Sequence, residues 1–311
     1  MKNVKSNGCG YWFALLIFAF NFLGATGSGQ VFAQQKQDKK RIVCSTTQIA
    51  DFARNVAGDL WTVDSILGPG QDPHTHEVNV ANAKLVSQAD ICFQNGWNLE
   101  GHQWMKKLCE DAGKPIVDCV AGVTPRKIDE DGNTINDPHA WFSIKSGARI
   151  YVRNIYSKLA EADPKNEPTY RKNAAAYIVQ LNELDSWIRK ELSGLAGPRV
   201  LATHHDAFGY FARDYEFKIV SLAKWSTEEL GGGTSQEKRK ELIETIRKFG
   251  VKAIFTETTI NPEIMNIIAK ETGAKLGGKL YSDAMGAKGS KGETYIGMMK
   301  ENVRTIVKAL K

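Results

Sequence analysis

Hydrophobic and polar residues alternate in blocks from residue 41 onward. Short apolar runs of strand length are separated by stretches whose apolar positions recur every three or four residues. That alternation of strand and helix is the signature of a parallel α/β sheet. The first half reads as strand RIVCSTT, helix TQIADFARNVAG with a left-handed cap expected at Gly58, strand WTVDSIL and the turn-rich loop GPGQDPHTHE. Helix VNVANAKLVSQA, strand ADICFQNG, helix GHQWMKKLCEDAG and strand PIVDCV follow. An acidic, turn-prone loop, KIDEDGNTINDPH, comes next, and WFSIKSGARIYVRNIYSKLAEADP is expected to be one helix stopped at Pro164.

Residues 166–194 differ in character, because a helical period runs through them with no internal glycine and Pro168 sits in the first turn, where proline is tolerated. One helix of that length spans about 40 Å at ~1.5 Å per residue. The residues alone favour the plainer alternative, an ordinary surface helix followed by a loop. After Gly197 and Pro198 the alternation restarts with strand RVLATHH, helix DAFGYFARDYE and strand FKIVSLA. TSQEKRKELIETIRKFG is a helix opened by a capping box of Thr234 and Glu237 and closed at Gly250. Strand VKAIFTE, helix NPEIMNIIAKETG, strand AKLGGKLYS and a closing helix TYIGMMKENVRTIVKALK complete the chain. The two halves repeat one grammar without repeating any sequence.

A chain of 311 residues has room for two domains. Residues 1–33 are set aside from the fold, since Lys2 and Lys5 precede the apolar run YWFALLIFAFNFLGA and the small-residue pattern VFA ends at Ala33. This is expected to be a cleaved export signal rather than an anchor, being short of the ~20 apolar residues a spanning helix needs. Cys9 precedes the apolar run, and no Leu-x-x-Cys box lies near the cleavage point, so lipidation is not expected. The net charge of +6 is scattered among acids, as on solvated helix faces, and excludes a nucleic-acid stripe. Cys44 and Cys92 lie in apolar strands and are expected to be buried free thiols. Whether Cys109 and Cys119 form a bridge stays open.

The chemistry concentrates in the histidines. The chain has six, and Asp-Pro-His occurs at residues 72–74 and again at 137–139. Open parallel sheets bind ligands beyond the carboxyl ends of their strands. There the pattern places His74, His139, the pair His204 and His205, and Asp283. Three imidazoles and a carboxylate are the ligand set of tetrahedral zinc and suit other first-row divalent metals. Pro73 and Pro138 stiffen the approach, and Asp72 and Asp137 are expected to accept the second imidazole N–H. Strand alternation sends only one of His204 and His205 to the site. His76 and His102 are expected outside it, and Trp141, Phe142, Phe208, Tyr210 and Phe211 are expected in the core.

DPHTHE, DPHAWF, THHDAFGYFARDY and VKAIFTETTINPEIMNIIAKETGAKLGGKLYSDAMG resemble the metal-specific periplasmic binding proteins of zinc and manganese ABC importers, and the likeness runs through the whole chain after residue 33. The resemblance implies two lobes, each a parallel-sheet α/β domain at 34–165 and 195–311, bridged by one long α-helix at 166–194. It also implies a metal held between the lobes by His74, His139, His205 and Asp283. The implied role is capture of a divalent ion in the periplasm by a monomer with no catalytic turnover, which delivers the ion to a membrane permease. The chain departs from zinc-dedicated relatives in lacking a long His-rich loop before residue 137. It departs from manganese-dedicated ones in having His205 where they tend to have glutamate. Zinc is favoured, with manganese or iron open. The competing readings are a secreted zinc-dependent hydrolase, for which Glu77 and Glu257 are the available general bases without an HExxH motif, and a metal-binding adhesin.

Overall fold

The computed structural model describes residues 39–130, 133–223, 226 and 236–311. The export-signal reading at residues 1–33 and the Thr234 half of the capping box lie outside these residues. Two four-stranded parallel sheets organise the chain. The first is built from β1 (Arg41–Cys44), β2 (Thr62–Ser65), β3 (Ile91–Gln94) and β4 (Ile116–Asp118) in the order β2-β1-β3-β4. The second uses β7 (Val200–His205), β8 (Lys218–Ala223), β9 (Ala253–Glu257) and β10 (Lys275–Leu280) in the order β10-β9-β7-β8. Counted from its own first strand, each sheet has the same connectivity. In both, the first strand is central, with the second on one side and the third and fourth on the other. β3, β7 and β9 are buried along their whole length, as strands covered by helices on both faces must be.

Helices α1 (Thr47–Ala57), α2 (Val80–Ser87), α3 (Trp104–Asp111) and α4 (Arg149–Ala162) cover the first sheet and its surroundings. The second sheet is followed by α6 (Gly209–Tyr215), α7 (Gln236–Lys248), α8 (Glu263–Thr272) and α9 (Tyr295–Leu310). Between them runs α5 (Glu167–Ser193), a single helix of 27 residues. Its buried residues Tyr170, Ala174, Tyr177, Leu181, Leu184, Ile188 and Leu192 recur every three or four positions and form one continuous stripe. Near its start Tyr177 donates to Asp51 of α1 (3.2 Å) and Asn173 to the Val56 carbonyl (3.1 Å). Near its end Asp185 accepts from Tyr215 of α6 (2.9 Å), and Arg189 donates to the Asp214 carbonyl (3.2 Å). One stripe thus packs on both halves, which is why the helix does not break where the residues alone allowed a loop.

Four local expectations are corrected. Where a loop is expected, β5 (Lys127–Glu130) pairs antiparallel with β6 (Asn133–Asn136), with Ile128 opposite Ile135. An Asp-Gly dipeptide between two alternating runs is the hairpin signal that marks this pairing. The helix expected from Trp141 to Pro164 is interrupted at Ser143, whose backbone is extended (φ −94°, ψ 114°) and whose hydroxyl accepts the Ser146 N–H. A 3-10 turn (Ala140–Phe142) and a π-turn (Ile144–Ala148) precede α4, and Gly147 packs so close to the Ala140 carbonyl that no Cβ fits. The helix expected from Gly101 starts as α-helix only at Trp104, because His102 and Gln103 are left-handed (φ 53° and 57°). Gly58 has positive φ (56°), but its ψ of −141° leaves the left-handed cap and leads into a 3-10 turn.

Candidate metal centre

All four candidate ligands lie at carboxyl ends of strands. His74 is in the loop after β2 and His139 just beyond the β5–β6 hairpin that follows β4. His205 is the last residue of β7, and Asp283 lies three residues beyond β10. The loop that carries His74 is held in place by Trp104, whose indole N–H donates to the Pro73 carbonyl (2.9 Å). The loop that carries Asp283 is held by α1, where Gln48 donates to the Ser282 carbonyl (3.2 Å) and Thr47 accepts from the Met285 N–H (2.8 Å).

The side chains converge. One ligand atom from each of His74, His139, His205 and Asp283 can be chosen so that all lie within 4.8 Å of one another, and all four residues are buried. His74 Nε2 is 3.4 Å from His139 Nε2 and 3.9 Å from Asp283 Oδ1. Asp283 Oδ1 is 3.4 Å from His139 Nε2, and its Oδ2 is 3.2 Å from His205 Nε2. A tetrahedral zinc site with bonds of about 2.1 Å has ligand-to-ligand edges of about 3.4 Å, so this spacing suits an ion at the centre. Both carboxylate oxygens of Asp283 and the Nε2 of His205 are buried without a well-formed hydrogen bond. Orphaned polar atoms of this kind cost about 1–3 kcal/mol each, which a coordinated cation would offset.

Outer partners orient two of the rings. Asp137 Oδ1 accepts from His139 Nδ1 (2.8 Å) and from the His139 backbone N–H (3.0 Å), leaving Nε2 as the lone-pair nitrogen that faces inward. His205 has a counterpart in a different residue, its Nδ1 lying 2.8 Å from Glu257 Oε2 as an ion-pair contact rather than in hydrogen-bond geometry. Glu257, at the end of β9, also accepts the backbone N–H groups of His204 and His205 (2.9 and 3.1 Å). It was legible in the sequence only as a possible general base; the pairing of β7 with β9 makes it a support for His205 instead. Asp72 accepts the backbone N–H of His74 (2.9 Å), repeating the Asp137 contact at the other Asp-Pro-His.

Burial and charge set the protonation. Burial drives His74 well below the usual histidine range, with Asp283 opposing, which leaves a neutral imidazole. Burial pulls His205 down too, but the carboxylates of Glu257 and Asp283 outweigh it and raise its pKa well above the ordinary value. His139 is raised in the same way by Asp137 and Asp283 against its burial. Burial would raise Asp283, yet the facing imidazoles of His205 and His139 hold it ionised, well below the usual carboxylate range.

The remaining candidates fall outside the cluster. His204 is buried on the opposite side of β7, with Nε2 3.2 Å from the Asn261 carbonyl. His76 lies 3.1 Å from Asn82 Oδ1 and against the Trp104 ring, and His102 is exposed. Trp141, Phe142, Phe208, Tyr210 and Phe211 are core residues. Cys44, Cys92, Cys109 and Cys119 are buried free thiols, so Cys109 and Cys119 do not bridge.

Comparison with known proteins places this geometry in context. The family described as zinc-uptake complex component A, periplasmic, matches residues 42–309. The manganese-binding lipoprotein MntA of Bacillus subtilis is 37% identical over 304 residues, covering 94% of this chain and 96% of its own. The iron-binding protein YfeA of Yersinia pestis is 37% identical over 273 residues, covering 87% of this chain and 86% of its own. Among solved structures, the periplasmic zinc-binding protein TroA of Treponema pallidum matches with a TM-score of 0.81 at 30% identity, over 88% of this chain and 99% of that one.

Proposed function

Since the chain belongs to the family of periplasmic zinc-uptake components, we propose that it captures one divalent transition-metal ion with His74, His139, His205 and Asp283 and delivers it to the permease of an ABC importer. The observation that carries this reading is the convergence of those four ligand atoms within 4.8 Å, at edges suited to tetrahedral coordination. The residues at 34–165 and 195–311 act as two lobes on the spine 166–194, and the ion sits where their strand ends meet. As a member of a solute-binding family the chain is not an enzyme. A hydrolase would need an open coordination position and a free base, whereas four protein ligands close the site and Glu257 is already engaged with His205.

Zinc is the favoured cargo. Three imidazole nitrogens suit zinc better than manganese, which prefers harder oxygen ligands. Relatives named for manganese, iron and zinc are 30–37% identical to this chain, so geometry can outweigh ligand type. The protein works outside the cytoplasmic membrane, released by cleavage after Ala33. Several relatives are named lipoproteins, but here the cysteine nearest the start is Cys9, ahead of the apolar run. No helix among the described residues is long and apolar enough to cross a membrane.

The test is a competitive titration of metal-free protein with zinc, manganese and ferrous iron, made anaerobically against a chelator of known affinity. One zinc per chain with strong preference is expected. His139→Ala should weaken binding by about tenfold or more without loss of fold, since it removes a ligand from a closed site. Unchanged affinity in that variant would overturn the ligand assignment, and tighter manganese or iron binding would overturn zinc as the cargo.

A further inference from the structure

Behind the metal centre one guanidinium joins the two halves. Arg126 lies just before β5. Its Nη1 donates to Asp137 Oδ2 (2.8 Å) and its Nη2 to Asp206 Oδ2 (2.6 Å). Asp137 is the residue whose other oxygen orients His139, and Asp206 directly follows His205. The arrangement is built closely around the arginine. Its backbone N–H donates to the Tyr210 hydroxyl (2.8 Å), which in turn donates to the Asp137 carbonyl (3.1 Å), and a Cβ at Gly209 would collide with the guanidinium.

The opposite flank of the centre is joined differently. There the segment that carries Asp283 is tied to α1 by Gln48, Thr47 and Asp51, the last accepting from the Tyr295 N–H (3.0 Å), and these groups are buried. On the Arg126 side the buried Tyr210 hydroxyl also joins the halves, but the Arg126 side chain is 25% exposed and that of Asp206 15%. An ion pair that water can reach exchanges partners readily and weakens with salt, while buried hydrogen bonds do neither. Resting on the reading that the four residues bind metal, we propose that Arg126 is a positioning residue that keeps His139 and His205 in register. Rupture of its bond to Asp206 is the step that opens the site for release, while Asp283 stays with the first lobe.

The experiment measures zinc dissociation from the protein by stopped flow into excess chromogenic chelator, over a range of a non-coordinating salt. In the unaltered protein, release should speed up with salt. Arg126→Met should release zinc about tenfold faster or more and lose the salt dependence, with Arg126→Lys intermediate because an ammonium cannot span both carboxylates. Asp206→Asn should act in the same direction, and the double variant should be little faster than Arg126→Met, as expected for partners in one interaction. If Arg126→Met fails to fold, Asp206→Asn cuts only the Arg126–Asp206 contact and carries the same expectation. A purely structural arginine would lower thermal stability yet leave the salt slope in place, and that result, or additive effects, would overturn the latch alone. Failure of the unaltered protein to hold zinc would overturn the metal-site reading together with it.

Discussion

At the scale of single residues, the centre depends on groups that never touch its middle. Glu257 places its carboxylate 2.8 Å from His205 Nδ1, so its charge favours a proton on that nitrogen and leaves Nε2 to face inward. Glu257→Gln keeps an oxygen for the two backbone N–H groups but removes the charge. Zinc affinity is expected to fall about 10- to 100-fold, the usual effect of losing an outer-shell carboxylate, measured by chelator competition. Protonation gives a second prediction. Metal binds the neutral imidazole, and in the metal-free protein Glu257, Asp283 and Asp137 raise the pKa values of His205 and His139 above the ordinary histidine range. Protons therefore compete through and above a pH of about 6.5, and zinc affinity should climb with pH beyond the point where an unperturbed histidine has already lost its proton. Calorimetry in buffers of different ionisation enthalpy should detect proton release near neutrality. Its absence would mean that both rings are neutral before metal arrives.

At the scale of elements, α5 is the spine because its buried stripe continues from Tyr170 to Leu192 without a polar break other than Asp185, which is itself hydrogen-bonded. Leu181 and Leu184 lie in the middle of the stripe and are fully or almost fully buried. Leu181→Ala is expected to cost about 2–5 kcal/mol of stability, as for other buried leucines replaced by alanine. Denaturant unfolding would read this, and a loss under about 1 kcal/mol would mean that the helix is less tightly packed than its burial implies. The sequence pattern carried α5 only as far as a helical period. What kept the loop alternative alive is that periodicity reports a face but not the partner that covers it.

At the scale of the whole molecule, two kinds of join limit how far the halves can move. The stiff spine and the buried bonds from α1 to the 282–295 segment restrict large hinge motion. Metal-free and zinc-loaded protein should therefore give closely similar small-angle scattering profiles. A large change in radius of gyration on loading would point instead to a wide hinge.

The sequence by itself determined the strand-helix alternation, the two halves and the identity of His74, His139, His205 and Asp283 as candidates. Local propensity and paired Asp-Pro-His motifs are properties of the chain written in order. It also marked His204 and His205 as a pair of which one faces the site, because alternation along a strand is local. Tertiary structure decided the rest. The support of His205 by Glu257, the reach of Arg126 to Asp206 and the hold of α1 on the Asp283 segment join residues separated by 52, 80 and more than 200 positions. Such contacts follow from which strands lie side by side and how the sheets face each other, and periodicity carries no record of either. The same reason explains the broken helix near Ser143, where the close approach of Gly147 to Ala140 overrides a sequence that reads as helical throughout.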